Sequence, residues 1–492
     1  MIAQLPILQV IVPLLAAPCC LLVGRSKLVW FFALVASAIT FVISLVLLQQ
    51  VQESGTIHYS LGGWSAPFGI EYRIDLLNAY LLLIVSSITS IILLTAHASI
   101  TAELNESKHK LFYVVFLLCL AGMLGIIATG DVFNLFVFLE ISALSSYTLI
   151  ALGQKRQALT AAFRYLLVGT LGASFILIGI GLMYMVTGTL NMFDLSERLP
   201  EVAQSRTVVT AFSFLILGVC LKLALFPLHW WLPNAYAYAP SVVSALLAAT
   251  ATKVAIYILL RFIFTVFGGE FSFTTLPLQE ILSVLGIAGV LTASVMAIYQ
   301  QNVKQLFAYS SVAQIAYMML ALAMNSTNGL IATLLHLFNH ALMKGALFLA
   351  LAGVMYRLGS VELTQFSGLG KRMPWTMAAI VIGGLSLIGL PLTVGFISKW
   401  YLLRAALENG WWPLAIFILL GSLLAVVYVW RIVETAYFSP PKAGHNQVKE
   451  APLSLLLPTW ILVLANLYFG CDASFTIAVT ELTAQSLLGG AP

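Results

Sequence analysis

The sequence predicts an all-α polytopic membrane protein of about fourteen transmembrane helices, N-out and C-out, with two inverted five-helix repeats at its centre. Three observations lead there. Of the 492 residues, 61% are hydrophobic and only 8% charged, at a mean hydropathy of +1.02; a soluble protein carries about 25% charged residues. The chain also divides into apolar runs of about 18 residues or more, the length that crosses a hydrocarbon core as a helix. Finally, Lys and Arg are unevenly shared between alternate connections, fourteen against four. The positive-inside rule then puts both termini outside and requires an even number of spans.

The runs lie near residues 4–24, 28–49, 76–97, 111–129, 131–152, 162–187, 208–227, 241–267, 277–299, 305–324, 329–356, 375–402, 411–438 and 453–470. The opening MIAQLPILQV lacks the basic start and small-residue cleavage site of a signal peptide and reads as a span. Residues 1–110 hold three N-terminal spans. Residues 111–267 hold spans four to eight, the first repeat, and 277–438 hold spans nine to thirteen, the second. Residues 453–492 are the last span and a mixed tail with the composition of a surface helix. The five cysteines (Cys19, Cys20, Cys119, Cys220 and Cys471) show no metal-ligand spacing and read as packing residues.

Charges inside the spans are the functional signal. Of the 18 acids, Glu140 alone falls near the middle of a span, roughly 13 Å from Asp131 along a helix. A carboxylate at that depth costs at least ~2.5 kcal/mol on insertion scales and by default marks an ion or proton pathway. The alternative is a protonated Glu held by a local hydrogen bond. Five basic residues also fall inside spans: Lys222, Lys253, Arg261, Lys344 and Lys399. Lys222 and Lys253 lie too deep to snorkel. Arg261, near the end of its span, fits a snorkelling anchor.

Two spans are interrupted. After Lys222 the chain reads LALFPLHWWLPNAYAYAPS, with Pro227, Pro233 and Pro240 around His229. The twelfth span, GGLSLIGLPLTVGFISKWYLL, carries Gly389 and Pro391 before Lys399. Proline cannot continue an ideal helix, and non-helical backbone at membrane depth needs protein or a water-filled cavity around it. As part of one straight helix Lys399 would sit near the outer surface; a break draws it inward. Broken spans seven and twelve, five apart and each beside a lysine, fit an inverted repeat of spans 4–8 and 9–13. Two ordinary proline kinks are the alternative.

The eleventh span carries His336, His340 and Lys344 at i, i+4, i+8. Each step rotates only about 40° around the helix, so the three share one face. A lone His in an apolar span is commonly a hydrogen-bonded core residue, but three titratable groups in a row read as a proton relay. No phosphate loop or cysteine-ligand spacing is present, so no cofactor and no metal are expected.

Four stretches resemble a known family. GDVFNLFVFLEISALSSY around Glu140, LKLALFPLHWWLPNAY around Lys222, LLAATATKVAIYILLRF around Lys253 and LPLTVGFISKW around Lys399 are similar to the antiporter-like subunits of respiratory complex I. They are similar also to those of multisubunit sodium/proton (Mrp-type) antiporters and membrane-bound hydrogenases. VTGTLNMFDL and WSAPFGIEYRID look most like the D-type subunit of the Mrp antiporters. The resemblance implies that Glu140 and Lys222 are the charge pair of a first half-channel and that Lys253 connects it to the centre. The stripe on the eleventh span would continue the path, and Lys399 would be the exit-side residue. Lys399 and Lys344 favour the Mrp or hydrogenase branch over the M-type subunit of complex I, which usually has Glu at the last position.

The expectation is therefore a proton-translocating subunit of a multisubunit monovalent cation (sodium)/proton antiporter in a bacterial or archaeal cell membrane. Its partners would be other membrane subunits, lipid, protons and sodium, with no nucleic acid. Two alternatives stand beside it: a proton-pumping subunit of a complex I-like quinone oxidoreductase or membrane-bound hydrogenase, and a structural membrane scaffold.

Overall fold

The computed structural model describes residues 2–442 and 447–489. The chain is almost wholly helical, as it must be where no water is present to satisfy backbone groups. Thirteen described helices are long and apolar enough to cross a membrane. The place of the expected twelfth span is filled by two half-helices, Pro374–Ile388 and Val394–Glu408. Helices start on side-chain caps at the surfaces: Asp75, Asp131, Asn191, Asn302 and Ser326 each accept from a backbone N–H of the first turn. The long sixth and eleventh spans, Arg156–Thr187 and Thr327–Leu358, both end on a left-handed glycine, Gly188 and Gly359.

The two halves correspond. The shift in numbering that carries Asp131 to Asn302 also carries Val132 to Val303, Arg156 to Thr327, Thr187 to Leu358 and Gly188 to Gly359. It also carries one isolated antiparallel bridge, Asp131 with Asn191, onto the other, Asn302 with Glu362. The far end of the fifth span, Gly153–Lys155, lines one cavity with Asn302 and Gly359. The two bridges thus lie on opposite faces of the bundle, which is the inversion expected of the repeat.

Burial is uneven. In the eighth span (Ser241–Val266), the tenth (Val303–Ala323) and the eleventh, 94% of the most apolar stretch is buried, against 33% in the thirteenth, Trp412–Tyr437. The central helices are surrounded by protein, and they carry Lys253, His336, His340 and Lys344. That placement is the one polar groups in a membrane require. The eighth span is also irregular, with π-helical turns at Leu247–Ala251 and Arg261–Val266.

Two elements differ from the sequence reading. The connection between the second and third spans holds an antiparallel hairpin, Ile57–Ser60 with Glu71–Ile74, in the register Ile57 opposite Ile74. Glu71 on it accepts from Asn191 Nδ2 at 2.9 Å, tying the hairpin to the Asp131 face. The tail is a helix, Ser474–Leu487, packed against the third and eleventh spans, with Val479, Thr480 and Ala484 buried. Its small and β-branched residues present a packing face that composition alone does not distinguish from a surface helix.

Candidate functional site

The fifth span (Val132–Ala151) carries the half-buried Glu140, and the buried Lys222 Nζ stands 3.4 Å from its Oε1. Lys222 lies in the last turn of Arg206–Leu223, the first half of the seventh span. There the aligned carbonyls of the half-helix favour a cation. The break begins at Ala224, whose φ of 60° is left-handed. The carbonyl of Leu221, which the break leaves with Ala224 N at 3.3 Å in place of its helical partner, accepts also from Trp231 Nε1 at 3.1 Å. The Trp231 ring stacks on Tyr165 at 3.8 Å. His229, inside the break, stacks on Phe226.

A cavity of about 50 Å³ lies beside Lys222, lined among others by Ser142, Ser146, Tyr165, Trp231 and Thr252. At ~10–15 Å³ per water it has room for a few water molecules, and its hydroxyls supply partners. Thr252 leads to Lys253, whose fully buried Nζ donates to Ala248 O at 2.5 Å and lies 3.5 Å from Thr252 Oγ1. Ala248 sits in the first π-helical turn, where the widened backbone turns a carbonyl toward the ammonium. Lys253 is within electrostatic range of His336, His340 and Lys344.

On the eleventh span the stripe divides. Lys344 donates to Phe307 O at 2.7 Å and to Ser310 Oγ, both on the tenth span. His336 and His340 stack with ring centroids 6.1 Å apart. Both ring nitrogens of His340 are buried without a hydrogen-bond partner among the described residues. His336 Nδ1 lies 2.8 Å from Ser398 Oγ, next to Lys399.

The break in the twelfth span sets the depth of Lys399. Its Nζ turns back onto the end of Pro374–Ile388, donating to Leu387 O at 2.9 Å, Ile388 O at 3.0 Å and Ser422 Oγ at 2.8 Å. It is buried, as a residue drawn inward by a break should be. Both broken spans thus place a lysine at the C-terminal end of a half-helix: Lys222 in the last turn of its own, Lys399 on the carbonyls of its neighbour's. Two glycines make the second arrangement possible. A Cβ on Gly395 would stand 1.8 Å from Ser386 O, and one on Gly389 (φ +92°) would stand 2.9 Å from Lys399 Cδ.

The structure therefore brings Glu140 to Lys222 and strings Lys253, His340, His336 and Lys399 through the centre, with Lys344 on a side arm. One assignment is corrected. Arg261 is no snorkelling anchor: it is buried and paired with Asp75 at 2.6 Å. Its partner caps the third span, which places the charge where an ion pair can hold it.

Sequence reasoning also missed a buried group on the Asn302 face. Glu103 Oε2 accepts from Ser241 N at 3.0 Å, and Lys304 Nζ lies 3.1 Å from Ser241 Oγ. A signal existed: Lys304 is in the first turn of its helix and Glu103 in the last turn of its own, each at the end where the helix dipole opposes its charge. Among the described residues, no group of three or more His, Cys, Asp or Glu could hold a metal ion.

Residues 129–425 match the family model described as NADH:quinone oxidoreductase/Mrp antiporter, transmembrane. The chain is 40% identical over 486 residues to NADH-quinone oxidoreductase subunit N of Desulforudis audaxviator, covering 96% of each chain. It is 33% identical over 496 residues to the D-type subunit of the Na(+)/H(+) antiporter of Bacillus subtilis, covering 98% of this chain and 97% of the relative. Two solved structures match with a TM-score of 0.90, each covering 99% of this chain and 97% of the other. One is a chain of the Mrp complex from Dietzia sp., at 24% identity, a likeness of fold. The other, at 29% identity, belongs to the membrane-bound sulfane sulfur reductase, an archaeal respiratory membrane complex. The chain belongs to the NADH:quinone oxidoreductase/Mrp antiporter family and is an antiporter-like membrane subunit of the complex I/Mrp type.

Proposed function

We propose that this chain moves protons laterally through the row Glu140, Lys222, Lys253, His340, His336 and Lys399, with Lys344 as a side store, as part of a multisubunit monovalent cation/proton antiporter. The observation that supports this most is the Glu140–Lys222 pair at 3.4 Å, held at the mouth of a broken helix. A proton arriving at Glu140 neutralises its carboxylate and weakens its hold on Lys222. The freed ammonium turns toward the water-sized cavity and gives a proton to water there, which carries it past Thr252 to a neutral Lys253. Lys222, now neutral, is reloaded from Glu140. Beyond Lys253 the groups stand so close in a low-dielectric interior that two of them cannot hold charge together at small cost. A proton entering the cluster therefore displaces one toward Lys399. In this reading residues 1–110 and 453–492 flank two working repeats, 111–267 and 277–438.

The coupling has a second reading. The 40% identical relative over nearly the whole chain is named as a quinone oxidoreductase subunit, which favours a redox-driven pump using the same row. Inverted membrane vesicles carrying the complete native complex separate the two. The antiporter reading expects sodium-dependent proton movement in wild type and its loss in Glu140→Gln, with assembly intact on a native gel. Wild-type vesicles that ignore sodium but acidify with an electron donor support the redox reading. A Glu140→Gln complex that assembles and transports normally removes Glu140 from the path in either.

A further inference from the structure

The corrected Arg261 points to a feature the lateral row does not use. Lys253, Tyr257 and Arg261 stand at i, i+4, i+8 on the eighth span, one face of one helix. This stripe runs across the membrane from the centre of the row toward the Asp131 face. At its end the polar groups close on one another. Arg261 donates from Nη2 to Asp75 Oδ1 at 2.6 Å and to Asn78 Oδ1, from Nε to Tyr257 Oη at 3.2 Å, and from Nη1 to Thr265 Oγ1 at 3.1 Å. Asn78 Nδ2 donates to Tyr257 Oη at 2.9 Å, and Tyr257 donates to Ile127 O at 2.9 Å. The Tyr257 hydroxyl has one proton to give and two lone pairs to accept with, and all are engaged.

Beyond this plug lies a cavity of about 420 Å³, lined among others by Arg73, Asp75, Asn78, Thr129, Tyr257 and Arg261. The plug is the polar boundary between that cavity and the interior that holds Lys253. An arginine stays protonated at any working pH, so opening requires Asp75 to release it or its guanidinium to swing away. Burial alone would push the Asp75 carboxyl up, but the Arg261 guanidinium outweighs this and holds it below the usual carboxylate range. Asp75 therefore stays ionised and holds the plug shut.

Resting on the proton-moving reading above, we propose that the Asp75–Arg261 pair, with Asn78 and Tyr257, is a gate closing a transverse proton branch from Lys253 to the cavity on the Asp131 face. Asp75 acts as a positioning residue that keeps Arg261 across the branch.

The test is passive proton leak through the whole complex in liposomes, in choline medium without exchangeable cation or electron donor. Tetraphenylphosphonium carries the compensating charge after a pH jump. The gate expects Asp75→Asn to collapse the gradient severalfold faster than wild type, and Lys253→Met added to it to restore the wild-type rate. Arg261→Lys, which keeps the charge but loses the planar fork, should leak to an intermediate degree, and it serves where Asp75→Asn does not assemble. Wild-type leak rates in assembled Asp75→Asn or Arg261→Lys complexes overturn the gate, as does a leak that survives Lys253→Met. Coupled transport is not read in this assay. If Glu140→Gln abolishes coupled transport while no leak appears, the row stands and the gate falls. If a Lys253-dependent leak appears while Glu140→Gln transports normally, the gate stands and the row falls.

Discussion

Removing one member of the Glu140–Lys222 pair leaves the other's charge unpaired within the membrane, whereas removing both does not. Breaking a buried pair from one side costs about 3–5 kcal/mol, while replacing both members with apolar groups is often neutral. Glu140→Gln and Lys222→Met should therefore each lower the unfolding temperature of the detergent-solubilised complex, and the double variant should recover most of the loss while transport stays absent. A double variant as unstable as the worse single would mean that the two charges do not depend on each other. A second residue-scale prediction concerns Asp131, which caps the fifth span and whose carboxyl burial pushes above its usual range. At neutral pH the ionised form costs stability that Asn, an equally good cap, would not. Asn302 already fills the corresponding place in the second repeat. Asp131→Asn should raise thermal stability at about pH 8, and the gain should shrink as pH falls through the raised pKa, because both side chains are then neutral. A gain that is constant with pH would assign it to capping alone. At this scale the sequence was legible wherever a charge was conspicuous by depth, as with Glu140, Lys222 and Lys253. It was not legible where the partner was remote: Asp75 lies 186 residues from Arg261, and nothing local reveals that they meet.

The broken twelfth span is an element built around close approach. Gly389 holds φ +92° and lets Lys399 pass over it, while Gly410 and Gly188 hold φ +72° with open space around them. Placing a Cβ in the left-handed region costs roughly 1–2 kcal/mol at any of these positions. Gly389→Ala adds a collision with Lys399 Cδ and moves the ammonium off the Leu387 and Ile388 carbonyls. The expectation is that Gly389→Ala loses more stability than Gly188→Ala, and that only the former loses transport per assembled complex. Equal transport in both would show that the position of Lys399 is not critical. Both breaks were readable because proline and glycine announce them. The π-helical turns of the eighth span were not. LLAATATK contains neither residue, and the distortion arises from packing in a span that is almost entirely buried. The hairpin between spans two and three was missed for a related reason: its strands are four residues each, and Glu71 is fixed by Asn191 from a distant loop.

For the whole molecule, the repeat gives each half a face of its own. The bridge at Asp131 and the cavity at Arg261 share one face, while the bridge at Asn302 and the Glu103–Ser241–Lys304 cluster share the other. The all-helical, many-span character and the presence of two halves were legible from hydropathy and from the paired breaks. The division of the eleventh-span stripe, with Lys344 turned onto the tenth span, was not legible, because it depends on which central helices touch. The distribution of Lys and Arg predicts that the Asp131 face is outside. Cysteine labelling tests it in a background with the exposed Cys19 and Cys471 changed to serine. Exposed Glu197, on the Asp131 face, and exposed Lys371, on the other, are the reporter positions. An impermeant maleimide should label Glu197→Cys in intact cells and Lys371→Cys only in inverted vesicles. The reverse pattern would turn the molecule over. The large cavity at Asp75 would then open to the cytoplasm, and the branch closed by the proposed gate would lead to that side instead of to the outside. The sign of the orientation thus decides whether the transverse branch from Lys253 opens to the side of higher or of lower proton potential, although every distance within it stays the same.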